Sequence, residues 1–453
     1  MDSRRFNVLF YTRYFLQKKY DTLISELNNS EVDIILETDS NFLRNNKFEF
    51  PLDIHKKIFN SVNSERELDI DYNEIINRCR LLRNIEKSIA LKLINHYYQY
   101  FSFRLRYLKV DIVVTQAVDN YILHILNIVC DQLGVIFWGI SGSFFKGYNL
   151  LSQQTTKENI AAVNFKYPND IVADQVNYIL NNNSIREYNR SSNYNMIIHS
   201  RDVLLNYIRR IIFFILRNFF WEGRISYHWY VTKFNFGRMY LAQYFSPKKI
   251  KIINNFSDLD NNKKSLLIPL NCTPEMTIDY WIKEKVINDY ESFILTIVDA
   301  LSKHFNVCIK EHPHALGTRN KFFYKKLVDK NVYLIDPNKT IKQACLSINN
   351  LFGLILGTGS AGIESFINGE RVFSFSKSIY WNDKNVFYLD PNNVHCWSEL
   401  ILNIKDFQVG NDIIKFNFIE NSMRSLIPID VFSSKNTINN KIKVNEVLSK
   451  YFS

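Results

Sequence analysis

The stretch FGLILGTGSAGIESFINGERVFSFS, Phe352 to Ser376, decides the fold. An apolar run reaches Leu356, the polar turn Gly357-Thr358-Gly359-Ser360 follows, and a helical segment runs to Gly369 before a second apolar run begins at Val372. Strand, turn, helix with a glycine stop and strand form a βαβ unit, and strands joined by such a crossover run parallel.

The same alternation extends in both directions. KSLLIPL is a strand from about Lys263, Lys285 to His304 a periodic helix, and NVCIKEHP a strand that runs into a loop. Arg319 to Lys330 is a helix, VYLIDP a strand and Thr340 to Ser347 a helix. At the N-terminal end, FNVLFY (Phe6 to Tyr11) and VDIILE (Val32 to Glu37) are buried strands, followed by a long helical stretch over Tyr72 to Tyr107. VDIVVTQ (Val110 to Gln116), a helix through about Cys130 and GVIFWGI (Gly134 to Ile140) complete this part. The pattern predicts an α/β chain with two parallel sheets facing a cleft. Its divisions are a Rossmann-like domain over 1–163, a helical, basic insertion over 164–262, a second Rossmann-like domain over 263–430 and a helical tail over 431–453. Ligands of such sheets bind at the carboxyl ends of strands. In the first domain that points to Thr115, Gln116, Asp119 and the run Gly139 to Ser143.

Length and composition agree. A chain of 453 residues is too long for one ordinary core and suits two domains. Aromatic residues are abundant (35 Phe, 26 Tyr) while Gly and Pro are scarce, which argues against extended disorder. The net charge of +11 fits an anionic partner such as a nucleotide, an acidic glycan or a membrane surface. No basic run or nucleic-acid motif is present, so nucleic acid is not an expected partner. The six cysteines form no CxxC pair and read as reduced core residues. MDSRRFNVLFYTRYF lacks a small-residue cleavage site, and a strand is the expectation there.

Within the insertion, VLLNYIRRIIFFILRNFFWEGR (Val203 to Arg224) has too short an apolar run to span a bilayer. Arg210, Arg217 and Arg224 recur every seven residues along one stripe, as in an interfacial helix. A core helix whose arginines snorkel outward explains the pattern equally and is the preferred reading.

Three strand ends carry candidate chemistry. At GTGS, glycines let the backbone approach a ligand, and the unpaired first N–H groups of the helix favour a phosphate-sized anion. Thr358 and Ser360 add hydroxyls beside Gly359, and Glu364 lies one helical turn past Ser360, placed for ribose hydroxyls. A plain strand-to-helix turn with Ser360 as N-cap is the alternative. At IKEHPHALGTR, Lys310 and His312 supply positive charge before Pro313, and a histidine there can offset charge on a leaving phosphate; an exposed, solvated loop is the alternative. In PLNCTPEMTIDYW, Glu275 is a candidate general base or nucleophile, or simply a first-turn helix carboxylate. Asp258-Leu-Asp260 has the look of a metal motif but sits in a polar linker, and His312 and His314 have the wrong spacing for helix-borne zinc ligands. No metal or cofactor is expected. GTGSAG fits GxGxxG literally, yet it lies late in its domain, where a dinucleotide fold would have it first.

Read in order, PLNCTPEMTIDYW, IKEHPHALGTRNKFFYKKL, NVYLIDP, GTGSAGIESFINGERVFSF and Tyr380-Trp381 resemble the capsule polysaccharide biosynthesis family, which includes bacterial Kdo transferases. The likeness covers about Leu266 to Trp381. It implies a GT-B-like glycosyltransferase of surface polysaccharide (capsule, O-antigen or lipopolysaccharide), with two Rossmann-type domains around a cleft. The donor it implies is a CMP-activated sugar acid, Kdo or a sialic-acid-like nonulosonate, and the acceptor a glycan or lipid-linked glycan held by the N-terminal domain. The KEHP match carries nucleotide binding onto Lys310, Glu311, His312 and Pro313. The SxGxE match carries phosphate and ribose contacts onto Ser360, Gly362 and Glu364, with Thr358 and Gly359 before them. Asn271 and Cys272, and Glu370-Arg371, depart from the family's usual residues.

On that reading the anomeric centre faces Glu275, with Asp119 the second carboxylate candidate, and the configuration of the product stays open. The expected setting is the cytoplasm, with a peripheral membrane contact left open. A GT-B enzyme using a UDP- or GDP-sugar would need more positive charge for a second phosphate, with Arg319 the candidate. A non-catalytic partner in a polysaccharide assembly complex is the remaining alternative.

Overall fold

The computed structural model describes residues 5–12, 17–27, 32–38, 68–79, 82–154, 159–161, 164–181, 208, 259–271, 276–312, 319, 321–330, 332–337, 339–376, 386–404, 411–432, 437–438, 442–444 and 446–448. Glu275, Pro313, His314, Asp258, Tyr380-Trp381 and nearly all of the basic segment 203–224 lie outside them.

The first unit contains β1 (Phe6–Thr12), α1 (Gln17–Leu27), β2 (Val32–Thr38), α2 (Tyr72–Arg78), α3 (Lys87–Tyr107), β3 (Ile112–Gln116), α4 (Tyr121–Leu133), β4 (Ile136–Gly142), β5 (Asn149–Gln154), β6 (Asn159–Ala161) and α5 (Asn169–Asn181). The second contains β7 (Lys264–Pro269), α6 (Met276–Asp279), α7 (Tyr290–Leu301), β8 (Phe305–Lys310), α8 (Lys321–Asp329), β9 (Tyr333–Ile335), α9 (Ile341–Ser347), β10 (Leu351–Leu356), α10 (Ser360–Ile367), β11 (Val372–Ser374), β12 (Val386–Tyr388) and α11 (Trp397–Asn403). The chain then forms α12 (Asp412–Met423), β13 (Leu426–Ile427), β14 (Ile429–Asp430) and β15 (Thr437–Ile438).

Both sheets have the Rossmann-like, doubly wound form. The second runs β12-β11-β10-β7-β8-β9, every pair parallel. The first runs β13-β5-β4-β3-β1-β2, with β2, β1, β3 and β4 parallel and β5 turning back against β4. Strand order reverses between β7 and β10 in one sheet and between β1 and β3 in the other. Those reversals are the switch points at which open α/β sheets hold ligands.

Local sequence sets the helix limits. Asn120 caps α4 by accepting the Leu123 N–H at 3.0 Å, and Gly134 ends that helix in the left-handed region at φ 69°. Thr340 and Gln343 form a capping box on α9. Asp289 caps α7, so the helix expected from Lys285 begins at Tyr290, behind a 3₁₀ turn at Lys285–Asn288. The helix expected over Tyr72 to Tyr107 is in fact two. Cys79 is extended (φ −94°, ψ 117°), and a 3₁₀ turn at Leu82–Asn84 separates α2 from α3. No glycine or proline marks this break. Arg78, the last residue of α2, is instead committed to contacts with the second unit.

Beyond β12 the chain returns to the first sheet. β13 pairs with β5, the Phe165 N–H donates to the Arg424 carbonyl, and the Tyr167 hydroxyl donates to the Leu426 carbonyl at 2.8 Å. Phe418 of α12 stacks on Phe366 of α10 with ring centroids 4.0 Å apart, so this returning segment packs on both units. By strand pairing, 426–427 belong to the first sheet, although the sequence boundaries group them with the second. α5, which those boundaries place in the insertion, packs on α12 and α10. The stretch from 431 includes β15, which pairs with β14, as well as helix.

Candidate functional site

The carboxyl edge of the second sheet brings the GTGS and KEHP stretches together through a residue to which the sequence reading gave no binding role. Pro269 of β7 is level with Lys310 of β8, and Leu267 with Leu354 of β10. Two residues past the level strand ends stand Asn271, His312 and Thr358. Asn271 occupies the switch point and bridges it. Its side-chain amide donates to the Thr358 carbonyl at 3.0 Å and the Thr358 hydroxyl at 3.4 Å, and its backbone N–H donates to the Tyr290 hydroxyl at 2.8 Å. Reading the switch point off the predicted strand order would have singled it out.

The GTGS turn has the features of an anion site. Gly359 has φ 136°, a conformation that L side chains rarely adopt, and a Cβ there would meet nothing within 4 Å. It stands at the N-cap of α10 with no side-chain cap bond, so Ser360 does not cap this helix. The first N–H groups of α10, which have no partner within the helix, and the positive end of its dipole lie at this turn. Gly357 is small for a different reason. A Cβ there would lie 2.7 Å from the Phe375 ring, and Ile282 Cδ1 packs 3.5 Å away. Gly362 is buried in α10, and Glu364 is 8% exposed one turn beyond Ser360. Burial, then Glu370 and to a lesser degree Glu364, pushes the Cys345 thiol of α9 upward.

The charged groups of KEHP mostly turn inward. The Arg319 side chain is fully buried, with Nε donating to Glu311 Oε2 at 2.6 Å and Nη2 donating to Glu311 Oε1 at 2.8 Å. Nη2 also donates to the Asn271 carbonyl. Glu311 further accepts the Tyr324 hydroxyl at 2.7 Å and the His312 N–H at 2.6 Å. Burial alone would raise the Glu311 carboxyl, but Arg319 and these donors outweigh it and hold it below the usual range. Lys310 is buried and donates to the Pro337 carbonyl at 3.1 Å. Lys310, Glu311 and Arg319 therefore brace the strand ends, and neither Arg319 nor Lys310 projects as a phosphate-gripping cation. His312, half-buried, is the described KEHP residue at the edge itself.

In the first unit, Asp119 follows β3 and accepts the Asn120 amide at 2.7 Å. Thr115 and Gln116 are buried in the last turn of that strand, and Ser143 donates to the Tyr148 carbonyl at 2.6 Å within its own loop. Among the described residues, no three His, Cys, Asp or Glu side chains gather as a metal site, and no helix is long and apolar enough to cross a membrane.

No protein-family model and no curated protein matches the chain. Among solved structures it is similar to a UDP-GlcNAc 2-epimerase of Methanocaldococcus jannaschii, in complex with UDP-GlcNAc and UDP, at 11% identity and TM-score 0.27, covering 91% of this chain and 98% of that one. It is also similar to the UDP-GlcNAc 2-epimerase of Neisseria meningitidis bound to UDP-GlcNAc, at 11% identity and TM-score 0.26, covering 99% and 98%. A glycosyltransferase from Rickettsia africae matches at 11% identity and TM-score 0.28, covering 99% and 98%. Likeness at this level fixes neither activity nor substrate.

Proposed function

We propose that the protein is a GT-B-type glycosyltransferase that takes its sugar from a nucleotide donor held at the carboxyl edge of the second sheet. The observation that carries this reading is the Asn271–Thr358 bridge. It sets the open, side-chain-uncapped start of α10 beside the His312 edge, at the switch point of a doubly wound sheet.

The same geometry favours a donor whose leaving group is a nucleoside monophosphate. Lys310 and Arg319, the cations of the KEHP stretch among the described residues, are occupied by carbonyls and by Glu311. The α10 N-terminus, the Thr358 and Ser360 hydroxyls and His312 suit one phosphate. Together with the order of the KEHP and SxGxE motifs, this supports a CMP-activated sugar acid such as Kdo or a nonulosonate. The product would be a bacterial surface glycan, made on the cytoplasmic side of the membrane.

In the reaction, the acceptor hydroxyl oxygen bonds to the anomeric carbon as the bond from that carbon to the phosphate oxygen breaks. The electron pair leaves with CMP, where His312 and the helix dipole offset its charge. The acceptor's proton passes to a carboxylate, with Asp119 and Glu275 the candidates.

Calorimetric titration with CMP, UDP and GDP tests the reading. Wild type should bind CMP most tightly, and His312→Ala and Ser360→Ala should each weaken it about tenfold or more. Tighter binding of UDP or GDP would overturn the monophosphate assignment. Binding of none of the three would overturn the transferase reading in favour of a non-catalytic role.

A further inference from the structure

One side chain of the first unit is buried against the loop that supports the GTGS turn. Arg78, at the end of α2, donates Nη1 to the carbonyls of Asp279 at 3.1 Å and Ile282 at 2.9 Å, and Nη2 to that of Lys283 at 3.1 Å. Its Nε donates to Glu74 Oε1 at 3.1 Å, so one buried guanidinium joins a helix of the first unit to three carbonyls two hundred residues away. A planar fork of five N–H donors can satisfy that many acceptors in one plane, which an ammonium cannot.

The clamped residues are close to the proposed donor site. Ile282 packs with its Cδ1 3.5 Å from where a Gly357 side chain would start, in the first residue of the GTGS turn. Tyr280, between two of the clamped carbonyls, meets the His124 ring of α4 edge-on, with centroids 5.9 Å apart. Glu284, next after Lys283, accepts the Tyr388 hydroxyl of β12 at 3.3 Å. The segment leaving β7 is therefore held at its start by the Asn271 bridge and at its end by the first unit.

We propose that Arg78 is a positioning residue. By fixing the carbonyls of Asp279, Ile282 and Lys283, it seats Ile282 beneath the GTGS turn and so couples the placement of the first unit to the shape of the nucleotide-phosphate site in the second. The proposal rests on the nucleotide-donor reading for its ligand and on the contacts above for its mechanism. The first unit presents Arg78 correctly only when the two units are docked, so the phosphate turn is complete only in the docked arrangement.

The test combines amide hydrogen exchange with nucleotide titration of the full chain. Arg78→Ala should speed exchange in 276–284 and in the GTGS turn while leaving β1, β3 and β8 protected. It should weaken CMP binding about tenfold. Arg78→Lys should fall between it and wild type, and it carries the test if the alanine variant does not fold. Glu74→Gln, which removes the ion partner but no carbonyl contact, should leave the nucleotide affinity at the wild-type value.

A uniform rise in exchange across both sheets would overturn the proposal, because it would show general destabilisation. So would a local rise in 276–284 with unchanged affinity, because it would show a loop with no influence on the site. If wild type binds no nucleotide, the donor reading has failed before any variant is compared. Exchange in the GTGS turn then still decides whether Arg78 governs its shape.

Discussion

The two sheets end differently at their switch points, although both follow the same winding rule. In the second sheet the crevice between β7 and β10 is bridged by Asn271, and behind it Glu311, Arg319 and Tyr324 form one buried, fully engaged network. In the first sheet the crevice lies between β1 and β3, where counting on from Phe10 and Val114 sets Thr12 level with Gln116. Thr12 Oγ1 and Thr115 Oγ1 on these strands, and Ser141 Oγ on neighbouring β4, are buried with no hydrogen-bond partner among the described residues. One edge is braced by a buried ion pair, and the other carries buried neutral hydroxyls. A buried ion pair with every donor and acceptor used holds a fixed shape, as the proposed nucleotide site would need. Lone hydroxyls contribute little stability and are removable.

The largest expected effect comes from breaking the brace. Glu311→Ala leaves the Arg319 guanidinium buried with its charge uncompensated and should cost about 3–5 kcal/mol in denaturant unfolding. Replacing both partners with apolar residues, Glu311→Leu with Arg319→Met, should recover much of that loss. If the single substitution costs no more than an exposed ion pair would, about 1 kcal/mol or less, the contrast between the edges fails.

The same pair fixes a pH dependence. Glu311 has a folded-state carboxyl held below its ordinary range, so its stabilisation is present above the unfolded value of about 4.3 and is lost as pH falls through the folded value. Acid unfolding of wild type should include this loss, and that of Glu311→Gln should lack it. His124 adds to the same acid sensitivity, at higher pH. Burial, and then the nearby Arg78 charge, push it down to about 3, so it folds neutral and opposes folding only where acid would charge the unfolded chain.

The next effects separate two glycines that look alike in sequence. Gly357→Ala should cost about 1–3 kcal/mol by overpacking, because the new methyl meets the Phe375 ring. Trimming that ring with Phe375→Leu should relieve part of the cost. Gly359→Ala meets no atom, so its cost, about 1–3 kcal/mol, is backbone strain that no neighbouring substitution relieves. A double-mutant cycle showing Gly359→Ala also relieved by Phe375→Leu would break this distinction.

The contrast between the edges was only partly legible in the sequence. Strand–turn–helix punctuation is local, so both sheets and the GTGS turn could be read from periodicity and glycine placement. The direction of a charged side chain is not local. Lys310 read as a phosphate-facing cation, Glu311 as part of a nucleotide-binding motif and Arg319 as a cation for a second phosphate, yet Glu311 turns in to meet Arg319, and Lys310 meets the loop after β9. The break after Arg78 had no breaker residue to mark it, and the carbonyls that Arg78 meets there lie two hundred residues further along the chain. The return of β13 to the first sheet was hidden for a related reason. A two-residue pairing is too short to show alternation, so the division drawn at 430 followed the end of the regular pattern.

The smallest effects belong to the first edge and test it most directly. Thr12→Val and Thr115→Val replace a hydroxyl by a methyl of similar shape, at sites where the hydroxyl has no hydrogen-bond partner among the described residues. Each should be neutral or stabilising by up to about 1 kcal/mol, since removing an unsatisfied buried polar group removes its desolvation penalty. Neither should change nucleotide affinity, because both lie in the sheet opposite the GTGS turn. If the valine variants instead lose stability, the hydroxyls are engaged and the first edge is as fixed as the second. If they keep stability and nucleotide affinity but lose transfer to acceptor, the neutral edge is where the second substrate is read.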